Sequence, residues 1–159
     1  MHEGSPRQEI DQQERGILLS LARESIRCRL AGEPAPSPES VGGVLIESRG
    51  AFVTLKIDGR LRGCIGHVVG VEPLWKAVRS NAVAAAFDDP RFEPLRSDEL
   101  DEAQIEISAL SPLRGVDADD VVVGRDGSPT VSARANAPGV MMAADGVGWI
   151  DSRRTVVAR

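Results

Sequence analysis

Tyrosine is absent from this chain, and its other aromatic residues are three phenylalanines and two tryptophans. With aromatics at 3% of 159 residues, the core must be built from aliphatic side chains. Cysteine is nearly as scarce. Cys28 and Cys64 are the two, and no spacing around them suggests zinc or another metal. Long apolar runs are missing too: none approaches membrane-spanning length, and the opening "MHEGSPRQEIDQQER" is polar and acidic where a signal peptide carries an apolar stretch. A cytoplasmic protein with reduced thiols and no membrane contact is expected. An excess of positive charge is also lacking. Lys and Arg number 19 against 24 Asp and Glu, for a net charge of −5 and a pI near 5.1, so no global basic field exists to hold a phosphate backbone or an anionic membrane. Nucleic-acid binding would need a local patch. Of the 19 cations 17 are arginine, a bias that fits a GC-rich coding genome and carries no functional weight.

What is present is ordinary globular composition, 42% hydrophobic and 27% charged, at a single-domain length that buries about two-thirds of its unfolded surface. Residues 11 to 30 place Ile17, Leu18, Leu21, Ala22, Ser25, Ile26, Cys28 and Leu30 near helical spacing, with Arg23, Glu24, Arg27 and Arg29 between them. This predicts an amphipathic helix with Cys28 on its apolar side. The prolines of "GEPAPSPES" end it.

"AFVTLKIDGRLRGCIG" reads as a hairpin. A two-residue Asp58-Gly59 turn would pair Leu55 with Arg62 and mix apolar with charged groups on each face. A three-residue loop, Ile57-Asp58-Gly59 with a bulge at Gly59, pairs Leu55 with Leu61 and gathers Val53, Leu55, Leu61 and Ile65 on one face. The three-residue loop is the expectation. Thr54, Lys56, Arg60, Arg62 and Cys64 then share the opposite face, with Arg62 and Cys64 roughly 6.6 Å apart along the strand.

"EPLWKAVRSNAVAAAF" predicts a second helix, with Pro73 in its first turn and Leu74, Trp75, Val78, Ala82, Ala85 and Ala86 toward the core. Asp89, disfavoured in helical conformation by Pro90, stops it. Ile105, Ile107 and Ala109 alternate with polar residues as a half-buried strand. "VVVGRDGSPTVSA" predicts a hairpin around Asp126-Gly127, and from Asn136 onward the pattern loses any clean period.

A cysteine acts as a nucleophile only as the thiolate, and a neighbouring cation lowers a thiol pKa from about 8.5 toward about 3.5–7.5. Arg62, two residues before Cys64, is placed to be that cation or to hold a carboxylate or phosphate in its fork. Gly63 and Gly66 would let a ligand or another backbone come close. The structural alternative makes Cys64 a small residue packed under the second helix, with the glycines serving the same tight contact. Asp88, Asp89 and Arg91 are the other polar cluster. Asp89 orients an arginine or acts as a base, or else forms a salt-bridged corner with Arg91. His67 points to the opposite face from Cys64 if the strand continues, which makes it a poor partner.

Taken in order, "GAFVTLKIDGRLRGCIG", "PL", an Ala-rich helix, "DDPRF" with Pro94, "EL" at 99 and 100, and "IEISAL" resemble the AMMECR1 family, whose most recognisable motif is LRGCIG. The resemblance covers residues 12–142 as one AMMECR1-like domain. It implies an α+β fold, an antiparallel β-sheet packed with helices in two unequal lobes. It also implies system protein A of the AmmeMemoRadiSam set, beside a Memo-like protein and a radical-SAM protein, with no settled reaction and no cofactor or metal assigned. The positions that carry over as a candidate site are Arg62, Gly63, Cys64, Gly66, Asp89, Arg91 and Phe92.

Two departures from the family pattern matter. Where the family commonly reads "GRHGL" this chain has "GRDGS", so Asp126 stands in place of a histidine that could have partnered the cysteine. Where the family continues "GLLLPQVA" and a further helix, this chain has "GVMMAADGVG". With suitable codons, loss of one nucleotide after Met142 reads Met-Met-Pro-Gln-Met-Ala, so residues 143–159 are read as an atypical, frameshifted or truncated tail, a short strand at most before disorder. A clean read of the locus with no Pro-Gln in any overlapping frame overturns that reading.

Two functions follow. In one, the chain is a binding or scaffold component and LRGCIG is a packing or partner-docking surface. In the alternative it is a cysteine-dependent enzyme, with Cys64 as nucleophile or thiol carrier and Arg62 binding an anionic substrate group. No general base is evident beside Cys64, which favours the first. RNA binding, which needs an arginine patch with exposed aromatics, ranks last.

Overall fold

Asp11 opens the first helix, α1 (Gln12–Ala31), in a computed structural model that describes residues 10–110 and the backbone of 114–115, 140–143, 146–149 and 155–158. The Asp11 carboxylate accepts the N–H of Glu14 at 2.7 Å, and Glu14 accepts the N–H of Asp11 at 3.0 Å, so two helix-end donors are satisfied reciprocally. Leu18, Leu21, Ala22, Ser25, Ile26 and Cys28 are buried, in keeping with the predicted apolar side. The helix ends at Gly32, at φ 71°, where the N–H groups of Gly32 and Glu33 close onto the carbonyls of Arg29 and Cys28. It therefore stops on its glycine before the prolines act.

After a 3-10 turn (Gly43–Ile46), β1 (Ala51–Ile57) and β2 (Arg60–His67) form the hairpin, and its register corrects the expectation. The loop is the two-residue one: Asp58 and Gly59 take φ 51° and 72°, the left-handed pair whose twist matches the strands. Ile57 pairs with Arg60 and Lys56 with Leu61, and the register then slips, so that Leu55 faces Gly63 and Thr54 faces Cys64. The extra residue is Arg62. The one-residue shift that the apolar pattern demands is present, but as a bulge within β2 and not in the turn. Val53, Leu55 and Ile65 share a face as expected, whereas Leu61 leaves it and is 41% exposed.

Helix α2 (Leu74–Phe87) lays Leu74, Ala77, Val78, Asn81, Ala82, Ala85 and Ala86 against the core, with Pro73 at its N-cap. Trp75, expected inside, is only half-buried. Asn81 is the polar exception: its amide donates to the carbonyl of Ala51 at 3.0 Å and ties the helix to the start of β1. The small side chains of α2 permit this close approach. A Cβ at Gly63 would overlap the carbonyl oxygen of Ala85, so β2 meets the helix backbone to backbone.

A short helix, α3 (Ser97–Glu102), precedes β3 (Gln104–Ala109), where Ile105, Ile107 and Ala109 are buried in strict alternation. The guanidinium of Arg23 on α1 donates to the carbonyls of Leu100 and Ala103, at 2.8 and 2.7 Å, and fixes that junction. The backbone segments β4 (Arg114–Gly115), β5 (Val140–Ala143), β6 (Gly146–Trp149) and β7 (Thr155–Ala158) complete the described elements. Strands run β2-β1-β3-β7 in one antiparallel sheet and β4-β6-β5 in a second. The hairpin predicted around Asp126-Gly127, Asp126 itself and residues 144–145, 150–154 and 159 of the tail lie outside the described residues. Helices on an antiparallel sheet make the fold α+β.

Candidate functional site

Among the described residues β2 is an edge strand of its sheet, and its outward N–H and C=O groups need partners. At Cys64 both come from the corner after α2. The Cys64 N–H donates to Asp89 Oδ2 at 2.9 Å, and Arg91 Nη2 donates to the Cys64 carbonyl at 3.4 Å. Because Cys64 turns its backbone groups away from β1, its pairing with Thr54 is the close, non-hydrogen-bonded kind. The two side chains accordingly meet, with Thr54 Oγ1 and Cys64 Sγ 3.0 Å apart.

Asp89 is 4% exposed and fully engaged. Besides Cys64, it accepts the Arg91 backbone N–H at 3.1 Å, Arg91 Nε at 3.0 Å and Arg91 Nη2 at 2.7 Å. The Arg91 guanidinium, chiefly, holds its carboxyl well below the usual carboxylate range despite burial. Arg91 is half exposed, and its guanidinium carbon lies 5.5 Å from the centroid of the Phe92 ring. Asp89 and Arg91 thus form the predicted ion-paired corner, and that corner brings Asp89, Arg91, Phe92 and Cys64 together.

Arg62 is directed elsewhere. Bulged out of the Cys64 row, it places Nε and Nη2 on the two oxygens of Glu99, each at 2.9 Å, and Nη1 on the carbonyl of Glu93 at 2.9 Å. The fork expected to hold an anionic group holds Glu99 instead, and the Arg62 guanidinium lowers the pKa of that carboxyl. Glu99 also accepts the backbone N–H of Arg96, at 2.9 Å. Gly63 and Gly66 serve backbone packing: a Cβ at Gly66 would overlap the carbonyl of Ala51, as one at Gly63 would overlap that of Ala85. His67 is exposed and pairs with Ala51, three residues along from Cys64, so it lies on the opposite face as expected.

The residues missed in the sequence are Thr54 and Glu99. Thr54 was hidden by the wrong register. Glu99 lies 37 residues from its arginine, and no local spacing joins them. The site can thus present a half-buried thiol beside a hydroxyl, with the neighbouring ions already paired. Among the described residues no cluster of His, Cys, Asp and Glu could hold a metal, and no helix is long and apolar enough to cross a membrane.

These features define an α+β protein whose motif strand is clamped by two arginine–carboxylate pairs. A family model described as AMMECR1 matches residues 19–141, and the chain belongs to the AMMECR1 family. It is similar to Protein NEQ441 of Nanoarchaeum equitans, 39% identical over 98 residues, which are 61% of this chain and 54% of that protein. It is also similar to a Thermococcus kodakarensis protein, 39% identical over 126 residues, 70% of this chain and 60% of that one. The crystal structure of the uncharacterized protein PH0010 from Pyrococcus horikoshii superposes with a TM-score of 0.66 at 34% identity, covering 74% of this chain and 64% of that chain. The chain spans between half and two-thirds of the length of these relatives.

Proposed function

We propose that this chain is a binding or scaffold component, acting with a Memo-like protein and a radical-SAM protein in the cytoplasm, with LRGCIG as the structural lock of its edge strand. One observation carries the reading. The charged groups at the motif, Arg62, Asp89 and Arg91, are committed to internal partners, so among the described residues no base and no open arginine fork is set beside Cys64. The neighbour of the thiol is a hydroxyl.

The test is the pH dependence of Cys64 alkylation on the folded protein, with Cys28→Ser removing the buried second thiol. Modification that stays slow until the chain unfolds, together with co-elution of the purified Memo-like and radical-SAM proteins with this one, supports the scaffold. Fast modification with an apparent pKa well below 8 would favour the cysteine enzyme and overturn it. A scaffold also tolerates Cys64→Ala at a packing cost of about 1 kcal/mol or less, read from the urea midpoint, with co-elution unchanged.

A further inference from the structure

The ion pairs of this molecule are unevenly distributed. Arg27, Arg49, Lys56, Arg62, Arg91 and Arg96 each hold a carboxylate. Arg15, Arg23, Arg29, Arg60, Lys76 and Arg79 hold none among the described residues, and of these Arg29, Lys76 and Arg79 lie against an aromatic ring. The Lys76 ammonium is 5.5 Å and the Arg79 guanidinium 5.0 Å from the Trp75 ring centroid, and Arg29 is 6.0 Å from that of Phe87. Arg79 is further positioned by donating to the Pro36 carbonyl at 3.1 Å and to the Ser37 hydroxyl at 3.4 Å.

These residues share one surface. Lys76, Arg79, Ser80, Val83 and Phe87 recur at three- and four-residue steps along the side of α2 that is not buried. Arg29 reaches the same side from α1, over Phe87. No carboxylate occurs anywhere in the 14 residues of α2, although the chain as a whole carries a net charge of −5. Between Glu72 and Asp88, which bound the helix, cations without a carboxylate partner among the described residues line an acid-free stretch of an acidic protein and leave a local positive field. Tryptophan and arginine are also the residue types that most often anchor protein interfaces.

We propose that this side of α2, with Arg29 at its end, is the docking face for an acidic polypeptide segment; the inference rests on the binding reading above. Complementary charge steers such a segment and sets its register. A nucleic acid fits less well. Three cations over about 18 Å of helix release few counterions from a phosphate backbone, and the Trp75 ring is already flanked by two cations and is not free to stack on a base.

The experiment is fluorescence anisotropy of a labelled oligoglutamate peptide titrated with the full chain at low and physiological salt. Wild type is expected to bind with an affinity that falls as salt rises. Lys76→Glu and Arg29→Glu should each weaken binding about fivefold or more, whereas Arg60→Glu at the hairpin tip, the same charge change, should not. Lys76→Gln serves if a reversal fails to fold. The proposal is overturned if oligoglutamate does not bind, if the Arg60 reversal weakens it equally, or if a single-stranded oligonucleotide binds more tightly. Those outcomes leave the alkylation result at Cys64 untouched, so loss of this face and loss of the scaffold reading are told apart.

Discussion

Glu99 has a side chain only one-quarter exposed, and both of its oxygens rest on the fork of Arg62. Truncating the arginine strands that carboxylate and frees the Glu93 carbonyl. Arg62→Ala is therefore expected to cost about 2 kcal/mol of stability, measured as a lower urea midpoint with unchanged slope. Arg62→Lys should recover part of it, because an ammonium keeps the charge but cannot fork. Gly63→Ala should cost about 1–3 kcal/mol for a different reason, since the added methyl must push α2 off the strand. At this scale the site was partly legible. The Asp89–Arg91 corner could be read because its partners sit two positions apart across a proline. The Arg62–Glu99 pair could not, because it joins residues that only the folded chain brings together.

Elements were legible where one period ran long enough. α1 and α2 span 20 and 14 residues with apolar positions on one side, and β3 alternates without exception. α3 has six residues, too few to show a helical period, and its position depends on Arg23 and Arg62 reaching it from other elements. The hairpin failed for a subtler reason. Sequence pattern reports that a register shift exists, but a bulge in the turn and a bulge in the strand satisfy the same pattern. Turn chemistry decides, and Asp-Gly is a strong two-residue signal. Gly59→Ala tests this turn: nothing crowds the position, yet φ 72° makes a side chain strained, and a loss of about 1 kcal/mol is expected in thermal unfolding. Asp11→Ala, which removes one half of the α1 cap, should cost about 1 kcal/mol by the same measurement.

For the molecule as a whole, the two clamps make stability depend on pH. The carboxyls of Asp89 and Glu99 both titrate below their unfolded values, which are about 3.9 and 4.3. As pH falls from neutrality the unfolded chain takes up these protons first, so their contribution is complete above about pH 5 and is lost progressively below about pH 4. Urea unfolding across that range should show stability falling with acid, and Asp89→Asn should flatten the fall. Asp89 has a further consequence, for how copies of the protein coexist at high concentration. A strand that ends a sheet is a template for another chain, and here the Asp89–Arg91 corner occupies the template at Cys64 as a one-residue substitute for a neighbour. The corner is thus a guard on solubility: without it, the sequence that folds the hairpin would also recruit strands from other molecules into aggregates.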